Sequence, residues 1–276
     1  MSGPVEQARV ARERRHTLHF LDTIREFAPV FLDTEVDMTA VRAHRADADA
    51  TGCRYSTLTY VLHTAARVLA AHPEANAAVR GRLRPRVARY PGAHGKITLD
   101  KTLNGRRIVL SAVLRDLERA GLDAIQGQID RLRSGDPAEL PEFSGARLLH
   151  RLPWPVGALA YRAAVRPLAR RAEAMGTFAV TSLGHRPIDG FHSVGGTTVT
   201  LGVGRTQDRP VVREGRVVVA PVLRLNMSFD HRVIDGAEAA DVLAEIKEGL
   251  EAFASRPGSE DRPTPAWSAD TAGGGR

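Results

Sequence analysis

With 276 residues, 43% hydrophobic and 26% charged, the chain is long enough for one well-buried core and excludes the compositions of fibrous and disordered proteins. One cysteine, Cys53, excludes an internal disulfide, and no apolar run approaches the length of a membrane span. We therefore expect a cytoplasmic protein without a secretion signal.

The net charge of +7 suits an anionic partner, either a nucleic acid or a phosphorylated cofactor. No nucleic-acid-binding motif is evident and aromatic residues make up only 5% of the chain, which favours the cofactor. A basic surface without a binding role is the other interpretation.

The first half of the sequence alternates between predicted strands and helices. Residues 1–13 are polar and predict a flexible N-terminus, and a basic cluster at Arg14 and Arg15 opens the ordered domain. The predicted elements are a strand over 29–39, a helix capped by Thr39 and running to about Ala50, a helix over 57–71 that stops at His72-Pro73, a basic loop or hairpin over 80–96, a hairpin over 97–114 that turns at Asn104-Gly105, and a helix over 117–133.

Residues 137–175 form a basic, amphipathic segment. Pro153, Pro155 and Pro167 predict that it is broken into short helices. Three roles are open for it: a flap over a substrate entrance, an inert packing element, or contact with a membrane surface. Because each helical piece is short, we expect no membrane partner.

Two hydroxyl side chains stand at the end of the next predicted strand. Residues 176–184 read Gly-Thr-Phe-Ala-Val-Thr-Ser-Leu-Gly and alternate as a strand does. Thr181 and Ser182 therefore face opposite sides of the sheet, so only one of them can serve a given site. A further strand is predicted over 197–204, and a hairpin over 210–221 that turns at Glu214-Gly215.

His231 lies at a predicted strand-to-helix turn. Residues 222–229 alternate as a half-buried strand, and Asp235 occupies a helix N-cap position with Glu238 close to a capping-box pattern. An imidazole at such a turn, flanked by charged residues, is a candidate general base. The alternative is a surface histidine with no chemical role and an aspartate that only caps the helix. The apolar stripe of this helix is Ala240, Leu243, Ile246, Leu250 and Phe253, and residues 255–276 predict a disordered tail.

The motif His231-x-x-x-Asp235-Gly236, within Ser-Phe-Asp-His-Arg-Val-Ile-Asp-Gly-Ala, resembles the signature of the acyltransferase (E2) catalytic domain of 2-oxoacid dehydrogenase complexes. Its shorter His-x-x-x-Asp-Gly core is shared with chloramphenicol acetyltransferase and with condensation domains. The segments 29–39, 70–77 and 176–184 resemble the same family in the same order, whereas 137–175 is longer than the family pattern. The resemblance covers residues 14–254.

This resemblance implies a fold and a set of roles. The fold is α/β, a chloramphenicol acetyltransferase-like two-layer sandwich of a mixed β-sheet with flanking helices, in a single domain over 14–254 that assembles as a homotrimer. His231 of one subunit would act as the base, facing a neighbour's oxyanion donor, a serine in the family and Thr181 here, with Ser182 as the alternative. Asp235, followed by Gly236, would pair with Arg14 or Arg15, and acetyl-CoA would be the acyl donor.

The reaction that we expect is O-acetyl transfer from acetyl-CoA to a hydroxyl of a small-molecule intermediate, of the tetronate type, in antibiotic biosynthesis. E2 proteins carry lipoyl domains and the sequence shows none, so we expect no covalent lipoate. We expect no metal either, because His16 and His19 lack a third ligand. One alternative is a dihydrolipoyl acyltransferase core that uses lipoyl domains in trans, and another is a non-catalytic trimeric scaffold.

Overall fold

The computed structural model describes residues 5, 7–81 and 83–253. The predicted tail over 255–276 and part of the predicted flexible N-terminus lie outside these residues. The helices are α1 (Arg15–Ile24), α2 (Thr39–Ala50), α3 (Thr57–Ala71), α4 (Leu122–Ser134), α5 (Ser144–Arg151), α6 (Trp154–Val165), α7 (Leu168–Met175) and α8 (Gly236–Glu251), with short 3₁₀ turns at Arg12–Arg14 and Pro141–Phe143.

Six of the eight strands in the described residues form one mixed sheet in the order β1-β8-β7-β6-β4-β5. β6 runs parallel to both β4 and β7, and the other neighbours are antiparallel. β2 and β3 form a separate hairpin. The strands are β1 (Pro29–Asp37), β2 (Ala77–Arg80), β3 (Arg86–Arg89), β4 (Gly95–Leu103), β5 (Arg106–Leu114), β6 (Phe178–Ser182), β7 (Val199–Arg213) and β8 (Arg216–Asp230).

The two faces of the sheet differ in chemistry. One face is apolar and packs with α3, α4 and α8 around a single core that includes Leu62, Ile97, Phe178 and Ile246. The alternating positions of the same strands put threonine, serine, asparagine and one lysine on the other face. The predicted fold class, a mixed sheet with flanking helices, is confirmed, and the polar face is where the candidate hydroxyls lie.

Several predicted boundaries are confirmed. The helix over 57–71 begins after Ser56, whose side chain accepts from the backbone N–H of Thr59, and it ends at His72. The β4–β5 hairpin turns at Asn104 and Gly105, both with positive φ, the conformation that a two-residue turn requires.

Others are wrong for local reasons. Thr39 does not cap α2, since it is itself helical and Asp37 accepts from its backbone N–H at 3.0 Å. α4 begins at Leu122 instead of 117, because residues 117–120 form turns before the N-cap Gly121. Pro155 does not break the insert but lies in the first turn of α6, where proline is tolerated.

The last hairpin is longer than its pattern indicates. The predicted hairpin over 210–221 turns at Glu214 and Gly215, but its first arm continues the strand predicted over 197–204 as β7, and its second arm continues the strand predicted over 222–229 as β8. β8 pairs with β1 on one side and β7 on the other. Residues 225–230 of β8 are all buried, so this strand is covered on both faces instead of one. The predicted apolar stripe of α8 is wrong at one position, since Ala240 is exposed and Ala239 is buried instead.

No helix in the described ranges has the length and apolar character needed to cross a bilayer. Within those ranges, no cluster of three or more histidine, cysteine, aspartate or glutamate side chains is arranged to hold a metal ion. His16 contacts His150 through ring nitrogens 2.9 Å apart, and His19 packs on Trp154 with ring centroids at 4.3 Å. Both histidines join α1 to the 137–175 segment.

Candidate active site

The turn that carries His231 is fixed by a buried carboxylate. Asp230, the last residue of β8, is buried and accepts from the guanidinium of Arg232 at 2.6 and 2.9 Å. The backbone N–H of His231 donates to the carbonyl of Ala28 at 2.9 Å, and that of Val233 donates to the carbonyl of Asp230 at 2.9 Å. With the backbone held on both sides, the imidazole projects from a rigid frame.

Asp235 turns its carboxylate to His231 instead of to the helix. Its Oδ1 lies 3.4 Å from Nδ1 of His231, with 47% of the histidine and 90% of the aspartate side chain exposed. Asp235 holds the N-cap position of α8, but its side chain accepts no backbone N–H there, so the predicted capping box is wrong. A carboxylate beside Nδ1 favours a proton on that nitrogen and leaves Nε2 free to accept one.

Neither Arg14 nor Arg15 takes the predicted position beside Asp235. The guanidinium of Arg15 donates to the carbonyls of His150 at 3.2 Å and Leu152 at 2.5 Å. It thereby ties α1 to the end of α5, which is a structural role. Within one described chain Asp235 contacts His231 instead, and an ion pair of Asp235 with Arg14 or Arg15 stays a prediction.

Thr181 and Ser182 have different surroundings. The hydroxyl of Thr181 lies on the polar face of the sheet and accepts from Thr98 Oγ1 at 3.2 Å, so its own proton remains to be donated. Ser182 points to the other face, where it lines a cleft of about 470 Å³ at the end of β6, beside the middle of β7. Both hydroxyls are only partly buried.

His231 and Thr181 do not meet within one chain. Thr181 of β6 pairs with Gly202 of β7, and Gly202 pairs with Asn226 of β8. His231 lies five positions beyond Asn226 in the chain. Two inter-strand spacings and five residue rises place the two side chains about 20 Å apart. Gly236, the first residue of α8, adds no side chain to either position. Any joint action of these two groups therefore needs a second subunit.

Two arginine-bearing clefts flank these positions. The β6–β7 cleft, beside Ser182, includes Arg42, Arg133, Arg205 and His185 in its walls. The α1–α6 cleft, of about 300 Å³, includes Phe27 and Arg232, which adjoin the His231 turn in sequence and in space. Their basic walls are typical of sites for anionic groups.

Sequence reasoning missed two cations on this side of the sheet, Lys96 of β4 and Arg171 of α7. Lys96 is 5% exposed, its ammonium donates to the carbonyl of Gly195, and burial lowers its pKa to about 7. Burial also lowers the pKa of Arg171, whose guanidinium donates to the carbonyls of Val165 and Gly196. The sequence held one signal for Lys96, a lysine within β4, where the neighbouring residues Gly95 and Ile97 face the apolar core.

Comparison with known proteins supports the assignment of these elements. Residues 156–256 match the model of the 2-oxoacid dehydrogenases acyltransferase (catalytic domain) family. A 47-residue stretch, 17% of the chain, is 55% identical to a dihydrolipoyllysine-residue acetyltransferase component of the pyruvate dehydrogenase complex from Bacillus subtilis. A 51-residue stretch, 18% of the chain, is 53% identical to a dihydrolipoyllysine-residue succinyltransferase component of the 2-oxoglutarate dehydrogenase complex from Cupriavidus necator. These stretches span only 11% and 12% of the two relatives.

The fold extends the likeness over the rest of the chain. A solved structure of the dihydrolipoamide acetyltransferase from Azotobacter vinelandii superposes with a TM-score of 0.66 and 22% identity, covering 91% of this chain and 93% of that one. At 22% identity the superposition shows a shared fold and does not extend to activity. Residues 156–256 of this chain thus match the acyltransferase (catalytic domain) family model of the 2-oxoacid dehydrogenases, and the described residues share the fold of the solved acetyltransferase.

Proposed function

We propose that this chain is the catalytic core of a CoA-dependent acyltransferase. The observation that carries the proposal is the His231 turn: a half-exposed imidazole with a carboxylate 3.4 Å from Nδ1, on a frame fixed by a buried aspartate. This arrangement suits a general base that works through Nε2. It argues against the non-catalytic scaffold, which would need no such pairing.

The chemistry needs one proton acceptor and one oxyanion donor. Nε2 of His231 takes the proton of the acceptor's hydroxyl or thiol as its lone pair attacks the thioester carbonyl carbon. The carbonyl oxygen becomes an oxyanion, toward which the Thr181 hydroxyl is free to donate because Thr98 supplies the proton in their mutual hydrogen bond. The carbon–sulfur bond then breaks, and the imidazolium returns the proton to the departing CoA thiolate.

The acyl donor that we propose is acetyl-CoA. The β6–β7 cleft beside Ser182 offers arginine side chains for the phosphates of a nucleotide carrier. The separation of about 20 Å between His231 and Thr181 in one chain supports a site shared between neighbouring subunits, and we propose that these assemble as a homotrimer. The reaction as proposed uses no metal and no lipoate on this chain.

Two acceptors fit this site. The comparisons favour a dihydrolipoyl thiol carried by another chain, because the curated relatives are dihydrolipoyllysine-residue acyltransferases. They support this acceptor better than the small-molecule hydroxyl that the sequence suggested. The second candidate, O-acetyl transfer to a small molecule such as a tetronate-type intermediate, draws support from the 137–175 segment, whose helices α5 and α6 pack on α1 and whose helix α7 packs on α6.

The test is acetyl transfer by the purified protein with acetyl-CoA and two acceptors, dihydrolipoamide and a panel of small hydroxyl compounds. His231→Ala should lower kcat by about 10²–10⁴-fold with whichever acceptor is used, since it removes the base. The matched control is His192→Ala, an exposed histidine whose ring packs on Phe31. Turnover by His231→Ala within twofold of the parent would refute the assignment. Light scattering that gives a monomer for the active protein would refute the shared site.

A further inference from the structure

The α1–α6 cleft has an uneven charge balance. It lies between α1, α6, α7 and the end of β2, and its walls hold five arginines but only two carboxylates, Asp22 and Glu26. The arginines are Arg80, Arg162, Arg166, Arg171 and Arg232. α6 and α7 of the 137–175 segment supply three of these five cations.

Most of the available carboxylates are already engaged. Arg162 pairs with Asp22 at 2.9 Å, and Arg166 pairs with Glu26 at 3.2 Å. The buried Asp230 is the counter-ion of Arg232. These pairs neutralise the rim of the cleft and leave its inner wall positive.

The inner wall is formed by Arg171, with Lys96 behind it. Both donate to backbone carbonyls, those of the adjacent Gly195 and Gly196 among them, and within the described ranges neither lies within ion-pair distance of a carboxylate. Burial lowers the pKa of both groups, and repulsion from Arg171 lowers the pKa of Lys96 further. The nearest carboxylate that acts on Arg171, Asp230, is the direct partner of Arg232, so a bound anion would offset the cost of burying the Arg171 charge.

The cleft adjoins the side of the site where the base acts. The Arg232 guanidinium stacks on the Phe27 ring with its central carbon 5.0 Å from the ring centroid. The next residue, Ala28, accepts from the backbone of His231 at 2.9 Å. A group bound in the cleft therefore lies beside the turn that presents the imidazole. Because the imidazole takes its proton from the acceptor, such a group would belong to the acceptor.

We propose that the α1–α6 cleft binds an anionic group, a carboxylate or a phosphate, carried by the acyl acceptor. The inference rests on the proposed function and names its substrate class. Its volume of about 300 Å³ matches the lower end of small-molecule sites, enough for the anionic group and the few atoms around it. The amide-linked dihydrolipoyl arm has no anionic group, so the cleft favours the small-molecule acceptor.

Binding is tested by calorimetric titration of the full chain with inorganic phosphate and, separately, with malonate. Saturable binding is expected for at least one probe. Arg80→Gln, an exposed position on the cleft wall, should weaken it by about tenfold, and Glu26→Gln should strengthen it by removing a negative charge. The matched control is Arg89→Gln, an exposed arginine paired with Glu74 away from the cleft, which should leave affinity unchanged. Absence of saturable binding, or equal weakening by Arg80→Gln and Arg89→Gln, overturns the proposal.

The source of the anion is settled by two further arms. Saturating CoA should not displace the probe; if it does, the cleft holds the phosphates of the donor and the assignment to the acceptor is wrong. The titration is repeated with His231→Ala, which should bind the probe normally, so that failure of the catalytic assignment and failure of the cleft are separate results. Efficient acetyl transfer to dihydrolipoamide that is unaffected by Arg80→Gln also contradicts an anionic acceptor.

Discussion

Replacing Lys96 with methionine should change how the stability of the protein depends on pH. Lys96 sits inside the polar face of the sheet, 5% exposed, with its ammonium on the carbonyl of Gly195 and 4.8 Å from the centroid of the Phe20 ring. Methionine has a similar length and no charge, so Lys96→Met removes the titration while keeping most of the packing.

The sign follows from the proton count of the two states. Burial, with repulsion from Arg171, lowers the pKa of Lys96 from 10.5 to about 7, so between these values the unfolded chain holds a proton that the folded chain has lost. The unfolding reaction then takes up protons, and the free energy of unfolding rises with pH. The full depression of this pKa corresponds to no more than about 5 kcal/mol, of which about 2 kcal/mol falls between about pH 7 and about pH 9.

Urea denaturation of the parent and of Lys96→Met at several pH values measures this difference. The parent should gain about 2 kcal/mol more than Lys96→Met over that range. The matched control is Lys247→Met, which removes a lysine paired with Glu251 at the surface and should keep the slope of the parent. Parallel pH profiles for the parent and Lys96→Met would refute the inference that burial lowers the pKa of Lys96.

Three further predictions concern the site and its supports. Thr181→Val should lower kcat by about 10²–10³-fold in steady-state kinetics, whereas Thr181→Ser should stay within a few-fold of the parent, and equal rates would exclude an oxyanion role. Burial lowers the pKa of His150 to about 4, so on acidification this histidine gains its proton in the unfolded chain before it does in the folded chain. Thermal stability should therefore fall from about pH 6.5 toward about pH 4, less steeply in His150→Gln, and identical slopes would contradict this. Gly202→Ala drives a Cβ into the Phe191 carbonyl and should lower the free energy of unfolding by about 1–3 kcal/mol. Gly127→Ala in α4, with open space around it, should raise the free energy of unfolding by about 1 kcal/mol. The reverse order of these two variants in urea denaturation would be evidence against the packing described.

The His150 prediction has a defined structural origin. His16 Nε2 lies 2.9 Å from the carbonyl of Val109, which can only accept, so Nε2 carries the proton and Nδ1 accepts from His150. Both rings are neutral in this arrangement. Protonation of His150 is opposed by the burial of the added charge, and protonation of His16 would set two N–H groups against each other where α1 meets α5.

The sequence by itself determined the order of the elements and the candidate residues. Apolar alternation, proline stops and the Asn104-Gly105 turn are local signals, since they depend on the dihedral angles and spacing of neighbouring residues. They placed β1, α3, the β4–β5 hairpin and the His231 turn correctly. The same local signals placed Thr181 and Ser182 on opposite faces of one strand, as the structure has them.

Only the tertiary structure decided which partners these residues have. Arg15 reads as a candidate partner of Asp235 in the sequence, but folding places its guanidinium on carbonyls more than 130 positions away. The burial of Lys96 and Arg171 likewise depends on α1, α6 and α7 closing over the polar face. Charge pairing and desolvation are set by residues distant in the chain, and no local pattern encodes them.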